Sequence, residues 1–268
     1  MSATPRLAIL LLLPAAALGD EGVAVESRAP PVDQGRREAG RQLYRGACAT
    51  CHGERGDGKG PSARPLDPPP RDFTSGVYKI RSTASESLPL LADVEQTIRR
   101  GIPGTEMAGW GELFDEEQIR LLAELVLDFS PRYRGEPRPE RLVGARLEAL
   151  PPTAPRLLRG ATLYREMGCF KCHGPRGRGN GEAAPTLKDD RGRSIRPLDF
   201  TRGFYKGGRE PGDVYRTFVT GMSGTPMPSY ADAIPEEEDR WSLVHFVRSL
   251  STEDALWRTL FGRFTPWE

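Results

Sequence analysis

Histidine is scarce in this 268-residue chain, with 3 copies, and cysteine hardly commoner, with 4. No apolar run reaches the roughly 20 residues that a bilayer-crossing helix needs. The longest, residues 7–18, falls short, which argues against an integral membrane protein. Hydrophobic residues make up only 37%, while 30 Gly and 25 Pro interrupt the chain, so side chains alone supply a thin core around long loops. Something bulkier is expected to fill the interior. An excess of charge of one sign is missing too. Arg6, the apolar run 7–13 and the small residues 14–19 have the layout of a secretory signal, with Ala17 and Gly19 fitting the cleavage site. Residues 1–19 are therefore expected to be a signal peptide, the alternative being a retained anchor, and the mature chain to act in the periplasm, soluble or peripherally attached to the inner membrane. Without Arg6 the chain keeps 37 basic and 37 acidic residues, a balance that makes nucleic acid a poor partner.

Export favours disulfides, but the four cysteines stand in two identical settings: Cys48-Ala49-Thr50-Cys51-His52 and Cys169-Phe170-Lys171-Cys172-His173. Both read C-x-x-C-H, the attachment motif of c-type haem. Two thiols three positions apart reach the two vinyl groups of one macrocycle, and the following His is held beneath the iron as its proximal ligand. A zinc site sharing all four Cys, or two redox dithiols, would leave unexplained why each pair is followed by His in a chain with only three. Two covalently bound haem c groups are expected.

The surroundings of the two motifs repeat. At an offset of 121, Gly53, Gly56, Gly58, Gly60, Ala63 and Leu66 align with Gly174, Gly177, Gly179, Gly181, Ala184 and Leu187. The offset is 127 at Phe73-Thr74 and Tyr78-Lys79 against Phe200-Thr201 and Tyr205-Lys206, and 120 at Gly101, Gly104, Thr105 and Met107 against Gly221, Gly224, Thr225 and Met227. The chain is an internal duplication whose copies differ by loop insertions. The expected division is a flexible lead-in over 20–35, a first domain over 36–131, a Pro/Arg-rich linker over 132–154, a second domain over 155–251 and an apolar extension over 252–268. The linker is expected to be semi-rigid, with a helical turn within 142–150.

Each unit opens with a helical pattern, 36–46 and 156–167, running into its haem motif. A middle helix fits 93–100 and 212–220. The closing helices follow N-terminal acids, Asp115 to Glu117 and Glu236 to Glu238, with apolar Ile119, Leu122, Leu125, Val126 and Phe129, and Trp241, Leu243, Phe246, Val247 and Leu250. No alternating strand pattern is present, so an all-α fold is expected.

These motifs resemble two tandem class I cytochrome c domains. The resemblance implies that the first and last helices of each unit cross at Gly40 with Tyr44 and at Gly160 with Tyr164, against Leu122 with Leu125, which lacks the usual aromatic, and Leu243 with Phe246. It implies Met107 and Met227 as the distal iron ligands opposite His52 and His173, and Pro61 or Pro185 near the carbonyl that holds each proximal imidazole. Tyr78, Lys79, Arg81, Arg99, Tyr205 and Lys206 are candidates for bonding haem propionates or for ordinary surface roles. His245 aligns with Glu124 and is expected to be a solvated surface residue. With both axial positions filled the implied task is single-electron transfer between a quinol-oxidising or dehydrogenase complex and a terminal oxidase or reductase, without substrate turnover. The alternatives are a haem subunit bound within a larger oxidoreductase, docked through its C-terminal extension, and a dihaem peroxidase.

Overall fold

The computed structural model describes residues 33–144 and 147–251. The expected signal peptide, nearly all of the lead-in and the C-terminal extension lie outside the described residues. Among those residues the structure is helical, with only two isolated β-bridges and no sheet. The first unit holds α1 (Gln34–Ala47), α2 (Ala49–His52), α3 (Leu91–Arg100) and α4 (Glu116–Asp128), followed by the short α5 (Pro131–Gly135). The second holds α6 (Ala154–Glu166), α7 (Cys169–His173), α8 (Pro211–Thr220) and α9 (Glu237–Ser249).

Local chemistry explains the helix starts. The Asp33 carboxylate accepts from the amides of Gly35 and Arg36, capping α1. Asp115 and Gln118 form a reciprocal capping box at α4. In α3 the Asp93 carboxylate accepts from the Leu90 amide, which lets the helix begin two residues before the acid. α1 then packs across α4, and α6 across α9, each at a glycine. A methyl group built on Gly160 would stand 2.1 Å from the Ser242 carbonyl oxygen, and one on Gly40 2.8 Å from that of Leu121. The Tyr164 ring packs on Phe246 at 5.3 Å between centroids. The aromatic missing from the Leu122 and Leu125 pair comes from one turn later, where Phe129 packs on Tyr44 at 5.1 Å.

The stretch between the units differs from a spacer. Residues 142–144 and 147–150 hold no helix, and the helical turn of this segment is α5, started by Ser130 and Pro131. Val143 is buried in the core of the second unit, with Leu147 and Leu150 packed beside it. The amides of Leu142 and Val143 both donate to the Ser82 carbonyl of the first unit. Apolar residues at 143, 147 and 150 find an uncovered face on the second unit, which turns a connecting segment into part of that unit's wall.

The two units meet along a reciprocal seam. A methyl group on Gly104 would touch the Phe204 ring at 2.6 Å, while one on Gly224 would stand 3.1 Å from Val77. These four positions are repeat equivalents, Gly104 of Gly224 and Val77 of Phe204, so each unit offers the same loop to the same partner segment. Arg81, only 1% exposed, donates from the first unit to the carbonyls of Thr220 at 2.7 Å and Gly221 at 3.3 Å. Arg100 with Asp213, and Arg191 with Asp72, add ion pairs across the seam, each at 2.9 Å.

Candidate haem sites

Each C-x-x-C-H pentapeptide forms a short helix that follows the opening helix directly, α2 after α1 and α7 after α6. Its exit is held the same way in both units. Tyr44 donates its hydroxyl to the Gly53 carbonyl at 2.9 Å, and Tyr164 to that of Gly174 at 2.7 Å. Both glycines have φ near +79°, a left-handed conformation that leads the chain sharply out of the helix.

The imidazoles are equally fixed. His52 Nδ1 lies 3.1 Å from the Arg71 carbonyl oxygen and His173 Nδ1 3.0 Å from that of Leu198. His52 stacks on Phe73 and His173 on Phe200, with centroids 4.5 and 4.3 Å apart. A carbonyl can only accept, so Nδ1 carries the proton and Nε2 keeps its lone pair. Burial pushes both imidazoles below the ordinary histidine range, against the opposing effect of the carbonyl bond, and so favours the neutral form a metal needs. The supporting carbonyls belong to Arg71 and Leu198, not to Pro61 or Pro185. They are repeat equivalents that sit just after Pro70 and Pro197. A backbone acceptor carries no side-chain signature, and only the folded loop shows which residue faces the ring.

Met107 and Met227 close two loops of one design. The Ile102 amide donates to the Met107 carbonyl at 2.9 Å and the Met222 amide to the Met227 carbonyl at 3.0 Å. Thr105 and Thr225 each donate a hydroxyl to the carbonyl at 102 or 222 at 2.7 Å and accept from the Met amide at 3.2 Å. In the second unit Cys169, Cys172, His173, Met227, Tyr230 and Leu243 line one cavity of 1130 Å³. That is above the range of about 300 to 1,000 Å³ usual for small-molecule sites. Two thiols, an imidazole with Nε2 unprotonated and a thioether make a donor set that fits haem c. Burial pushes Cys48 and Cys169 up to about 11, which leaves them thiols. Among the described residues no three His, Cys, Asp or Glu side chains converge as a metal site, so the four cysteines do not share a zinc position.

Several candidates serve other ends. Tyr78 and Tyr205 donate to the carbonyls of Val126 and Val247 in the closing helices. Arg81 is spent on the seam, and Arg99 pairs with Glu116. His245 is not a solvated residue. It is 5% exposed, and its Nε2 lies 2.6 Å from the Leu150 carbonyl oxygen. Its counterpart Glu124 pairs with Arg36 at the surface of the first unit, but in the second unit the connecting segment covers that face and makes it interior.

Residues 157–251 match the family described as Cytochrome c, and residues 35–126 that described as Cytochrome C oxidase, cbb3-type, subunit III. Cytochrome c55X of Paracoccus denitrificans (strain Pd 1222) is 32% identical over 122 residues, spanning 46% of this chain and 93% of that protein. A solved chain of the Kuenenia stuttgartiensis reducing HAO-like protein complex Kustc0457/Kustc0458 is 44% identical, with a TM-score of 0.74 over 80% of this chain and 96% of that one. The two pentapeptides, the helical fold and these similarities place the chain in the cytochrome c family. It is an electron carrier built from tandem cytochrome c domains, which implies covalently bound haem c.

Proposed function

We propose that the chain binds two haem c groups, the first attached through Cys48 and Cys51 and the second through Cys169 and Cys172, and that it carries single electrons in a periplasmic respiratory chain. His52 and Met107 would hold one iron, His173 and Met227 the other. The observation that carries this reading is the duplication of one geometry: in both units the imidazole is fixed by a carbonyl at Nδ1 and the Met closes the same hydrogen-bonded loop. Bound haem supplies a one-electron ferric/ferrous couple. The protein's part is to keep each imidazole neutral and oriented, to exclude water behind stacked Phe73 and Phe200, and to hold a soft thioether in place, which favours the ferrous state. Donor and acceptor would be a quinol-oxidising or dehydrogenase complex and a terminal oxidase or reductase.

Met107→His or Met227→His should lower the potential of the altered haem and leave the other nearly unmoved, because imidazole donates more strongly to ferric iron. Met→Ala at the same positions should let carbon monoxide bind one reduced haem. Rapid carbon monoxide binding by the unaltered protein would defeat the assignment and favour a peroxidase.

The similarity to a component of the Kuenenia stuttgartiensis complex favours a second reading, a haem subunit bound in a larger oxidoreductase. Size exclusion of native membrane extract separates the two: a free carrier elutes near its own mass, a bound subunit with a larger assembly.

A further inference from the structure

Three half-buried cations lie in the seam, whereas Arg178, Arg196 and Arg202, which line the same cavity, are exposed. Arg71 and Lys79 come from the first unit and Lys206 from the second, and all three line the cavity that also holds Cys172, His173 and Met227. Nearby acids are already engaged: Asp72 pairs with Arg191 at 2.9 Å, and Asp189 with Arg193 at 2.7 Å. Asp190 acts on Arg71 and Asp67 on Lys206 only through longer-range attraction, and among the described residues none of the three cations forms an ion pair.

Burial makes this arrangement costly. It pushes Lys79 down to about 8, with Arg71 and Lys206 adding repulsion, and it lowers Arg71 and Lys206 as well. Three like charges gathered in one half-buried cavity call for an anion that binds there. The placement of Arg71 is specific. Its carbonyl holds His52 in the first unit, while its side chain lines the cavity of the second. Its repeat equivalent is Leu198, so no matching cation reaches back the other way from that position.

We infer that Arg71 and Lys79 of the first unit, together with Lys206, clasp the propionate carboxylates of the haem in the second unit across the seam, so that one domain sets the potential of its neighbour's haem. This rests on the proposal that the second unit binds haem c. A cation beside the propionates favours the added electron of the ferrous state, and its removal from a partly buried site shifts the equilibrium toward ferric.

The test is made on the full-length dihaem protein. Haem content is measured first, and then potentiometric titration with proton NMR of the hyperfine-shifted haem methyls, which follow each haem separately. Lys79→Gln, and Arg71→Leu in a second variant, should each shift the reduction equilibrium of the second unit's haem roughly tenfold toward ferric, about 59 mV for one electron. The first haem should move much less. Resonance Raman should show the propionate bending band of the second haem displaced, a change that a purely structural role would not produce. Arg71→Lys and Lys79→Arg, which keep the charge, should restore most of the potential. If both haems are present and neither variant moves the second potential, or if only the first haem responds, the clasp is refuted while the haem assignment stands. If the unaltered protein carries no haem on Cys169 and Cys172, both proposals fall.

Discussion

Gly160 and Gly40 occupy equivalent places in the two helix crossings but leave unequal room. At Gly160 a methyl group would meet the Ser242 carbonyl at 2.1 Å and Phe246 Cβ at 2.6 Å; at Gly40 the nearest atoms are 2.8 and 3.4 Å away, in Leu121. Backbone on both sides cannot swing aside as a flexible side chain would. Gly160→Ala is expected to cost about 3 kcal/mol through forced separation of α6 and α9. Gly40→Ala should cost about 1 kcal/mol, since a smaller clash is offset in part by better helix propensity. Guanidinium denaturation of the two holoproteins, followed by circular dichroism, measures the difference; equal losses would mean that the crossings are equally tight. The glycine and tyrosine pairs were legible from the repeat. The Phe129 contact was not, because it replaces an aromatic from a different turn of the helix.

The connecting segment shows what an element can conceal. Its proline content reads as a spacer, yet Val143, Leu147 and Leu150 pack on the second unit's core and the Leu150 carbonyl meets buried His245. A second-unit fragment beginning at Ala154 would expose that face and remove an acceptor from a buried imidazole. It should therefore be at least about 2 kcal/mol less stable than a fragment beginning at Pro137, the cost of uncovering one or more aliphatic side chains. Thermal unfolding of the two fragments, both secreted with haem-attachment machinery, makes the comparison. Indistinguishable melting would show that the segment contributes nothing to the second unit. Helix positions were legible from apolar spacing and acidic starts, to within a few residues. The burial of 143, 147 and 150 was not: their steps of four and three read as a helical turn, whereas the described residues of 142–150 hold no helix, and spacing alone does not say which face a segment covers.

Across the whole molecule, Arg81 joins the units more directly than any other side chain described. It donates to the carbonyls of Ala84, Thr220 and Gly221, and the Thr220 hydroxyl lies 3.3 Å from the Arg81 carbonyl oxygen. Arg81→Ala leaves those buried acceptors without their donor, and the expected loss is about 3 kcal/mol. Because the lost bonds cross the seam, the single cooperative unfolding expected of the unaltered holoprotein should separate into two transitions by calorimetry. A variant that still unfolds in one step would show that the remaining seam contacts suffice to couple the units.

The residues alone establish two C-x-x-C-H pentapeptides in two copies of one helical unit, since that motif is a short local spacing and duplication leaves its mark at fixed offsets. They also bring Met107 and Met227 into register on equivalent loops. Which carbonyl faces each imidazole, where His245 is buried, and that Arg71 serves one unit through its backbone while its side chain enters the other unit's cavity were decided only by the tertiary structure. Each of these depends on groups 19 or more residues apart meeting in a loop, beneath a covering segment or across a seam. Such meetings are set by how the chain packs as a whole, and leave no spacing in the sequence from which they can be read.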